Sequence, residues 1–178
     1  MRAMVLPAMA DLDSNPAPLQ PVSLPDPVPG EREILIRVSV CGVCHTELDE
    51  IEGRTPPQQL PIVPGHEIVG RVAAMGEGCR RFALQQRVGV GWIHSSSGAA
   101  DENLSPDFRA TGRDAHGGYA ELVVVPERYA YPIPDVFSDA EAAPLLCAGG
   151  VGYRSLMLTG IRDGDVLGLT GFGGSGHL

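Results

Sequence analysis

The stretch CGVCHTEL, residues 41–48, places two thiols, an imidazole, a hydroxyl and a carboxylate close together. Three interpretations are open: half of a structural zinc ribbon, a redox pair, or one part of a catalytic metal site. A ribbon needs a second Cys-x-x-Cys, and the sequence has none. A redox pair normally lies at a helix start in a βαβ arrangement, which the neighbouring pattern does not predict. Neither alternative fits the pattern well, and the catalytic interpretation remains open.

Three residues of types that suit zinc lie far apart in the sequence, at Cys44, His66 and Cys147. A catalytic zinc has three protein ligands and one open position, whereas a structural zinc has four ligands. Each residue also has an ordinary explanation, because free cysteines and hydrogen-bonded histidines are common in protein cores. Residue types alone leave this choice open.

The sequence GFGGSG satisfies the pattern G-x-G-x-x-G, with glycines at 171, 173, 174 and 176. It follows an apolar run, residues 166–170, that predicts a short buried strand. In a dinucleotide site such a turn brings backbone N–H groups close to a pyrophosphate. The pattern is weak alone in a chain with 23 glycines, and no further helix or ribose-binding acid follows it.

Apolar and alternating segments predict short strands at residues 3–6, 33–40, 68–73, 87–91 and 119–125. A helix is predicted from His45 to a stop at Gly53, and Ser138 with Glu141 predicts a capped helix start. Glycines and 16 prolines separate these elements. The pattern favours a mainly β fold with short helices, built as a small, partly open β barrel.

Composition excludes several classes of partner. The 13 basic and 22 acidic residues give a net charge of −9, which disfavours nucleic acid. No apolar run approaches the ~18 residues of a membrane span, so no membrane partner is expected. The start of the chain does not resemble a signal peptide. Four cysteines without such a signal predict reduced thiols in a cytoplasmic protein.

Five blocks, in the order CGVCHTEL, LPIVPGHEIVG, GGYAELVVVP, APLLCAGG and GFGGSGHL, resemble the zinc-dependent alcohol dehydrogenases of the medium-chain dehydrogenase/reductase superfamily. The resemblance covers essentially the whole chain. It implies a GroES-like catalytic domain over residues 1–150. Residues 151–178 would then be a linker helix with the first strand and Gly-rich turn of a truncated Rossmann domain. The rest of that domain, and the segment that returns to the barrel, would be missing.

The resemblance also implies a metal site. Cys44, His66 and Cys147 match the three ligands of one catalytic zinc, and Glu67 matches the acid beside the metal. Cys41 matches no ligand. Two thiolates and a neutral imidazole would leave the zinc neutral overall and still able to act as a Lewis acid.

Further roles are implied around that site. Thr46 matches the residue that hydrogen-bonds the alcohol and passes its proton outward, and Asp49 stands where many relatives end this relay with histidine. His45 matches a position near the cofactor pyrophosphate. Trp92 matches a wall of the substrate pocket. The cofactor would also contact the glycines of the turn: Gly171, Gly173, Gly174 and Gly176.

Two more departures from the family pattern have consequences. Ser97, Ala100 and Ser105 stand where many members have the cysteines of a structural zinc lobe, so that second zinc is expected to be absent. Glu47 replaces the aspartate that orients the zinc-binding histidine, and its extra methylene is expected to loosen that contact.

The function implied is oxidation of a small alcohol to an aldehyde or ketone with NAD(P). This chain alone is expected neither to bind NAD(P) nor to transfer hydride, because only the first turn of the nicotinamide site is encoded. The alternative is a non-catalytic zinc-binding or protein-interaction module derived from a dehydrogenase. Apolar barrel surface left uncovered would favour homo-oligomers.

Overall fold

Short strands and helices make up the molecule, and a computed structural model describes all of residues 1–178. The strands are β1 (Arg2–Val5), β2 (Gln20–Ser23), β3 (Glu33–Gly42), β4 (Glu67–Met75), β5 (Arg87–Val90), β6 (Ile93–Ser95), β7 (Arg109–Ala110), β8 (Leu122–Pro126) and β9 (Ala130–Pro132). The α-helices are α1 (His45–Ile51), α2 (Asp139–Ala142), α3 (Ala148–Thr159) and α4 (Gly174–His177). Short 3₁₀ turns lie at Glu102–Leu104, Glu127–Tyr129 and Ala143–Leu146.

One antiparallel sheet forms the centre, in the order β8-β3-β4-β5-β9. Two smaller pairs, β1-β2 and β6-β7, flank it. The outer strands β8 and β9 do not pair with each other, so the sheet curves without closing. This confirms the mainly β fold and the partly open barrel predicted from the sequence.

The core follows from the alternation along the longest strand. Ile34 and Ile36 of β3 are fully buried, whereas Arg37 of the same strand is exposed to solvent. Period-two alternation therefore places one face of the sheet inward. The main core cluster consists of Ile34, Ile36, Ile68, Val72, Val88, Val90, Val123, Val125 and Ala130.

The segment after the barrel is helical but interrupted. Ser138 accepts the N–H of Glu141 at 3.3 Å, which confirms the predicted cap. The chain then forms the 3₁₀ turn around Pro144, which cannot supply a helical N–H. Cys147 takes non-helical angles, φ −126° and ψ −80°, before α3 begins. The capped helix is therefore only four residues long, and the 3₁₀ turn and Cys147 separate α2 from α3.

The predicted strand at residues 166–170 is wrong. These residues form no strand, and Val166 is 97% exposed. No other strand lies alongside to accept and donate ladder hydrogen bonds, so an apolar run alone cannot make a strand here. The Gly-rich turn runs into the single turn of α4, which begins at Gly174 and was not predicted from the sequence.

The fold offers no candidate for a membrane-crossing helix, since none of its helices combines the length and the apolar character required.

Truncating a core side chain of β3 tests the packing. Ile36 is 0% exposed, so Ile36→Ala should lower the free energy of unfolding by about 3 kcal/mol through lost burial and the cavity left behind. Urea unfolding measures the change. The matched change Arg37→Ala, on the solvent face of the same strand, should cost less than about 0.5 kcal/mol. Equal effects of both changes would contradict the inward assignment of Ile36.

Candidate metal centre

Four potential metal-ligating side chains converge although they come from distant parts of the chain. The donor atoms of Cys44, His66, Glu67 and Cys147 all lie within 4.8 Å of one another. The two Sγ atoms are 3.8 Å apart across a separation of 103 residues. The structure therefore brings together the three residues suggested as zinc ligands and the acid predicted beside them.

Each donor sits where a regular element begins or breaks. Cys44 is the N-cap of α1, directly after β3, and Cys147 lies in the break before α3. His66 follows Gly65, whose φ of +98° favours glycine. A Cβ on Gly65 would lie 2.6 Å from the Tyr119 ring, so a side chain has no space there. The glycine thus allows the sharp turn that delivers the imidazole.

Glu67 reaches the site because a glycine lies opposite it in the sheet. It pairs with Gly42 across β3 and β4. A Cβ on Gly42 would collide with the Glu67 carboxylate, so glycine is required opposite this acid. Burial raises the pKa of Glu67 above its ordinary value, although the nearby His66 opposes the shift.

Glu47 supports both the helix and the histidine. Its Oε2 accepts the N–H of Cys44 at 2.8 Å, which caps α1. Its Oε1 is 2.5 Å from Nδ1 of His66, and both side chains are buried. The predicted loosening by the longer side chain is not seen at Nδ1. Burial lowers the pKa of His66, but contacts with Cys147 and Glu47 outweigh it and raise this pKa to about 11 in the absence of metal.

The donor set fits a zinc ion. The Nε2 atom of His66 is buried and has no hydrogen-bond partner. An unpartnered buried ring nitrogen is costly unless a ligand completes it. Two cysteine thiols beside it, Cys44 and Cys147, are the softer donors that zinc accepts together with imidazole.

The suggested proton-relay residues lie along the start of α1. The thiol of Cys44 and Oγ1 of Thr46 are 3.5 Å apart. His45 is exposed, and its Nε2 lies 3.7 Å from Oδ1 of Asp49. Asp49 also pairs with Arg54 at the surface. Thr46 therefore adjoins the Cys44 sulfur, whereas His45 and Asp49 form a separate contact on the same helix.

The suggested cofactor and pocket residues occupy two other places. Trp92 is half-buried and packs against Phe108, with ring centroids 5.0 Å apart. The glycines 171, 173, 174 and 176 form a largely exposed turn outside the donor cluster. At Gly174 this turn comes close to α3, because a Cβ there would be 3.2 Å from Cβ of Ala148, the neighbour of Cys147.

The loop that contains Ser97, Ala100 and Ser105 is connected to the barrel by hydrogen bonds. The Tyr129 hydroxyl donates to the Ser96 carbonyl and lies 2.9 Å from Oε2 of Glu102. The Ser96 hydroxyl donates to the Glu102 carbonyl at 2.7 Å. Arg128 donates to the Gly98 carbonyl at 3.1 Å. These contacts hold the loop that stands where the structural zinc lobe is expected to be absent.

Glu50 is a further buried acid on α1 that was not predicted from the sequence. This side chain is 2% exposed, and neither carboxylate oxygen has a hydrogen-bond partner. Burial, and then the charge of Glu47, raise the pKa of Glu50 to about 7. The available signal was the i, i+3 spacing of Glu47 and Glu50, which puts both acids on one face of α1.

Comparisons with known proteins agree with this geometry. Residues 30–135 match the family model described as the alcohol dehydrogenase GroES-like domain. "Probable alcohol dehydrogenase AdhA" of Mycobacterium tuberculosis is 44% identical over 172 residues, or 90% of this chain and 50% of that protein. An alcohol dehydrogenase of Geobacillus stearothermophilus is 38% identical, over 83% of this chain and 46% of that protein.

Solved structures give the same result. A cinnamyl alcohol dehydrogenase of Sorghum bicolor superposes with a TM-score of 0.84 at 31% identity, covering 99% of this chain and 53% of that one. A structure described as an NAD-dependent alcohol dehydrogenase gives 0.82 at 31% identity, covering 93% and 49%. The chain spans about half the length of the curated relatives it matches.

Removing the charge of Glu50 should stabilise the metal-free protein in one pH range. A pKa raised from 4.5 to about 7 means that the folded state retains this proton more tightly than the unfolded state. Below pH 4.5 Glu50 is protonated in both states and does not destabilise the fold. The destabilisation by its buried charge grows as the pH rises to about 7 and is constant above that pH. Glu50→Gln should therefore raise the free energy of unfolding by about 2 kcal/mol at pH 8 and leave it nearly unchanged at pH 4.

Urea unfolding at both pH values checks this prediction. Glu52→Gln, next to the same helix but paired at the surface with Arg54, is the control and should change stability little at either pH. A stabilisation by Glu50→Gln that is the same at pH 4 and pH 8 would show that burial of the charge is not its cause.

Proposed function

Because this chain belongs to the alcohol dehydrogenase GroES-like domain family, we propose that it forms the catalytic half of a zinc-dependent alcohol dehydrogenase. The activity would be oxidation of a small alcohol to an aldehyde or ketone with NAD(P). One observation carries the proposal: Cys44, His66 and Cys147 converge within 4.8 Å and leave a buried imidazole nitrogen without a partner.

Zinc held by these three residues would supply Lewis acidity, which makes an alcohol easier to deprotonate. Thr46 would hydrogen-bond the alcohol at Oγ1, since this hydroxyl adjoins the Cys44 sulfur. A proton received there can move to solvent along α1, where His45 and Asp49 lie 3.7 Å apart.

Glu47 and Glu67 would act as supporting acids. Glu47 holds the Nδ1 side of the imidazole, which leaves Nε2 as the nitrogen available to a metal. Such a contact fixes the orientation of a metal-binding histidine. Glu67 lies in the same group of donor atoms and is available to balance the charge of the metal.

These residues would form only the first part of a dinucleotide-binding site. The Gly-rich turn approaches Ala148 beside Cys147, which supports a dinucleotide placed next to the metal site. The turn itself is exposed, and α4 contains four residues. We therefore expect these 178 residues alone to bind zinc but not NAD(P).

Three further expectations belong to this proposal. The loop around Ser97, Ala100 and Ser105 would keep its shape through hydrogen bonds without a second zinc. Thiols that bind a metal must stay reduced, which suits the cytoplasm.

Exposed apolar side chains on α3, such as Tyr153 and Met157, would support self-association. If the chain serves as a non-catalytic module, the same side chains would support binding to an interaction partner.

Metal content tests the proposal directly. The protein purified without chelators should contain about one zinc per chain, and Cys44→Ser should reduce this to nearly none because two donors hold the metal weakly. Elemental analysis and a zinc-release titration give the stoichiometry. Cys79→Ser is the matched control, since this thiol donates to the Glu33 carbonyl outside the site. Wild-type protein without zinc, or equal loss in both variants, would refute the proposed centre.

Hydride transfer gives a second test. The zinc-loaded chain incubated with simple alcohols and NAD⁺ or NADP⁺ should produce no nicotinamide absorbance above the rate without protein, because no complete dinucleotide site is formed. Absorbance that depends on the chain and disappears in Cys44→Ser would show instead that these residues are catalytically complete.

A further inference from the structure

Strand β5 presents one face to the core and the other to the segment that leads to Cys147. Val88 and Val90 are fully buried in the main core cluster. Because side chains alternate along a strand, Arg87 and Gly89 lie on the opposite face. Contacts on this opposite face are therefore the ones that reach the segment before Cys147.

A smaller hydrophobic cluster covers that opposite face of the sheet. Val69 of β4 is buried there together with Ala142 and Ala143, and Leu146 packs against them. A Cβ on Gly89 would lie 2.8 Å from Cδ2 of Leu146. The missing side chain of this glycine therefore leaves space for the leucine.

Gly91, directly after β5, allows a peptide bond to approach the sheet. A Cβ at this position would lie 2.7 Å from the carbonyl oxygen of Leu146, which is closer than van der Waals contact permits. This carbonyl belongs to the peptide that joins Leu146 to Cys147, and it cannot rotate aside as a methyl group can. Because the valines of β5 are tightly packed in the core, the strand cannot retreat. A side chain at Gly91 must therefore displace the peptide next to Cys147.

Arg87 holds the same segment further upstream. Its Nε forms an ion pair with Oδ1 of Asp139 at 2.7 Å, and only 12% of the arginine side chain is exposed. The guanidinium also donates to the carbonyl of Phe137. Asp139 is the first residue of α2. The helix that leads toward Cys147 is thus tied to β5 at its start.

We propose that β5 positions Cys147 for metal binding: Gly91 leaves room for the peptide before this residue, and Arg87 anchors the helix that leads to it. The metal-binding role of the thiol rests on the proposed function, whereas the position of the segment does not. Cys44 follows β3 and His66 directly precedes β4, so the sheet itself places these two donors. Cys147 comes from outside the sheet, and the contacts with β5 bring its Sγ to 3.8 Å from that of Cys44.

Gly91→Ala tests this assignment. The added methyl group should push the Leu146–Cys147 peptide away from β5 and weaken zinc affinity about 10- to 100-fold, as loss of support around a metal ligand typically does. At saturating Co²⁺, the thiolate-to-metal absorbance should fall to about half, because one of two sulfurs no longer binds. Gly89→Ala is the matched control. Its methyl group would meet only methyl groups of Ile133 and Leu146, which can rotate, so both measurements should stay close to wild type.

A measurement on the metal-free protein separates this inference from the proposed function. Dibromobimane, which fluoresces strongly only after bridging two nearby thiols, should join Cys44 to Cys147 in wild type and in Gly89→Ala. Bridging should be slower in Gly91→Ala, and peptide mapping identifies the two cysteines. Wild type that binds no Co²⁺ would refute the metal centre, whereas slower bridging in Gly91→Ala alone would still support the role of β5.

Three results would overturn the inference. These are a wild type that forms no Cys44–Cys147 bridge, wild-type bridging and Co²⁺ absorbance in Gly91→Ala, and equal losses in Gly89→Ala and Gly91→Ala. If Gly91→Ala does not fold, Arg87→Met decides, because it releases α2 without adding atoms beside the peptide. It should reduce zinc affinity and bridging by a smaller amount, and no change in either would contradict the proposal.

Discussion

Burial of the His66 imidazole is the constraint on which the rest of the site depends. The residue is 1% exposed, and a polar ring removed from water needs partners on both nitrogens. Glu47 serves Nδ1, and this requires α1 to start at Cys44, where the same carboxylate caps the helix. Gly65 supplies the left-handed turn that points the ring inward. The helix start and the turn are thus linked through one side chain.

The excess of acidic groups at the site favours binding of a cation. Three buried acids, Glu47, Glu50 and Glu67, and two thiols surround a single imidazole. Burial raises the pKa of Glu50 and Glu67, so in the metal-free protein these groups resist ionisation. A divalent ion would reverse that, because a positive charge favours carboxylate and thiolate alike. Folding and metal binding would then be coupled, because features that weaken the metal-free fold would strengthen the metal-bound one.

The sequence predicted the barrel better than the site. Alternation located β3, β4 and β5, because one face of each must be buried. Spacing could not join Cys44 to Cys147, since 103 residues of fold separate them; the family resemblance suggested that pairing. The strand predicted at residues 166–170 is wrong because a strand needs a neighbouring strand to pair with, and an apolar run does not specify one. Glu50 was missed because acids are rarely fully buried, and only the structure reveals one without a partner.

In the proposed metal centre, the position of Cys147 would also give the ion a structural role. Cys44 and His66 belong to the barrel, whereas Cys147 lies between the barrel and α3. A metal bridging them closes a long loop, which removes more entropy from the unfolded chain than a short bridge would. It also fixes the start of α3, against which Gly174 of the Gly-rich turn packs. If Cys147 binds the proposed metal, that bond would also set where the Gly-rich turn stands relative to the thiols.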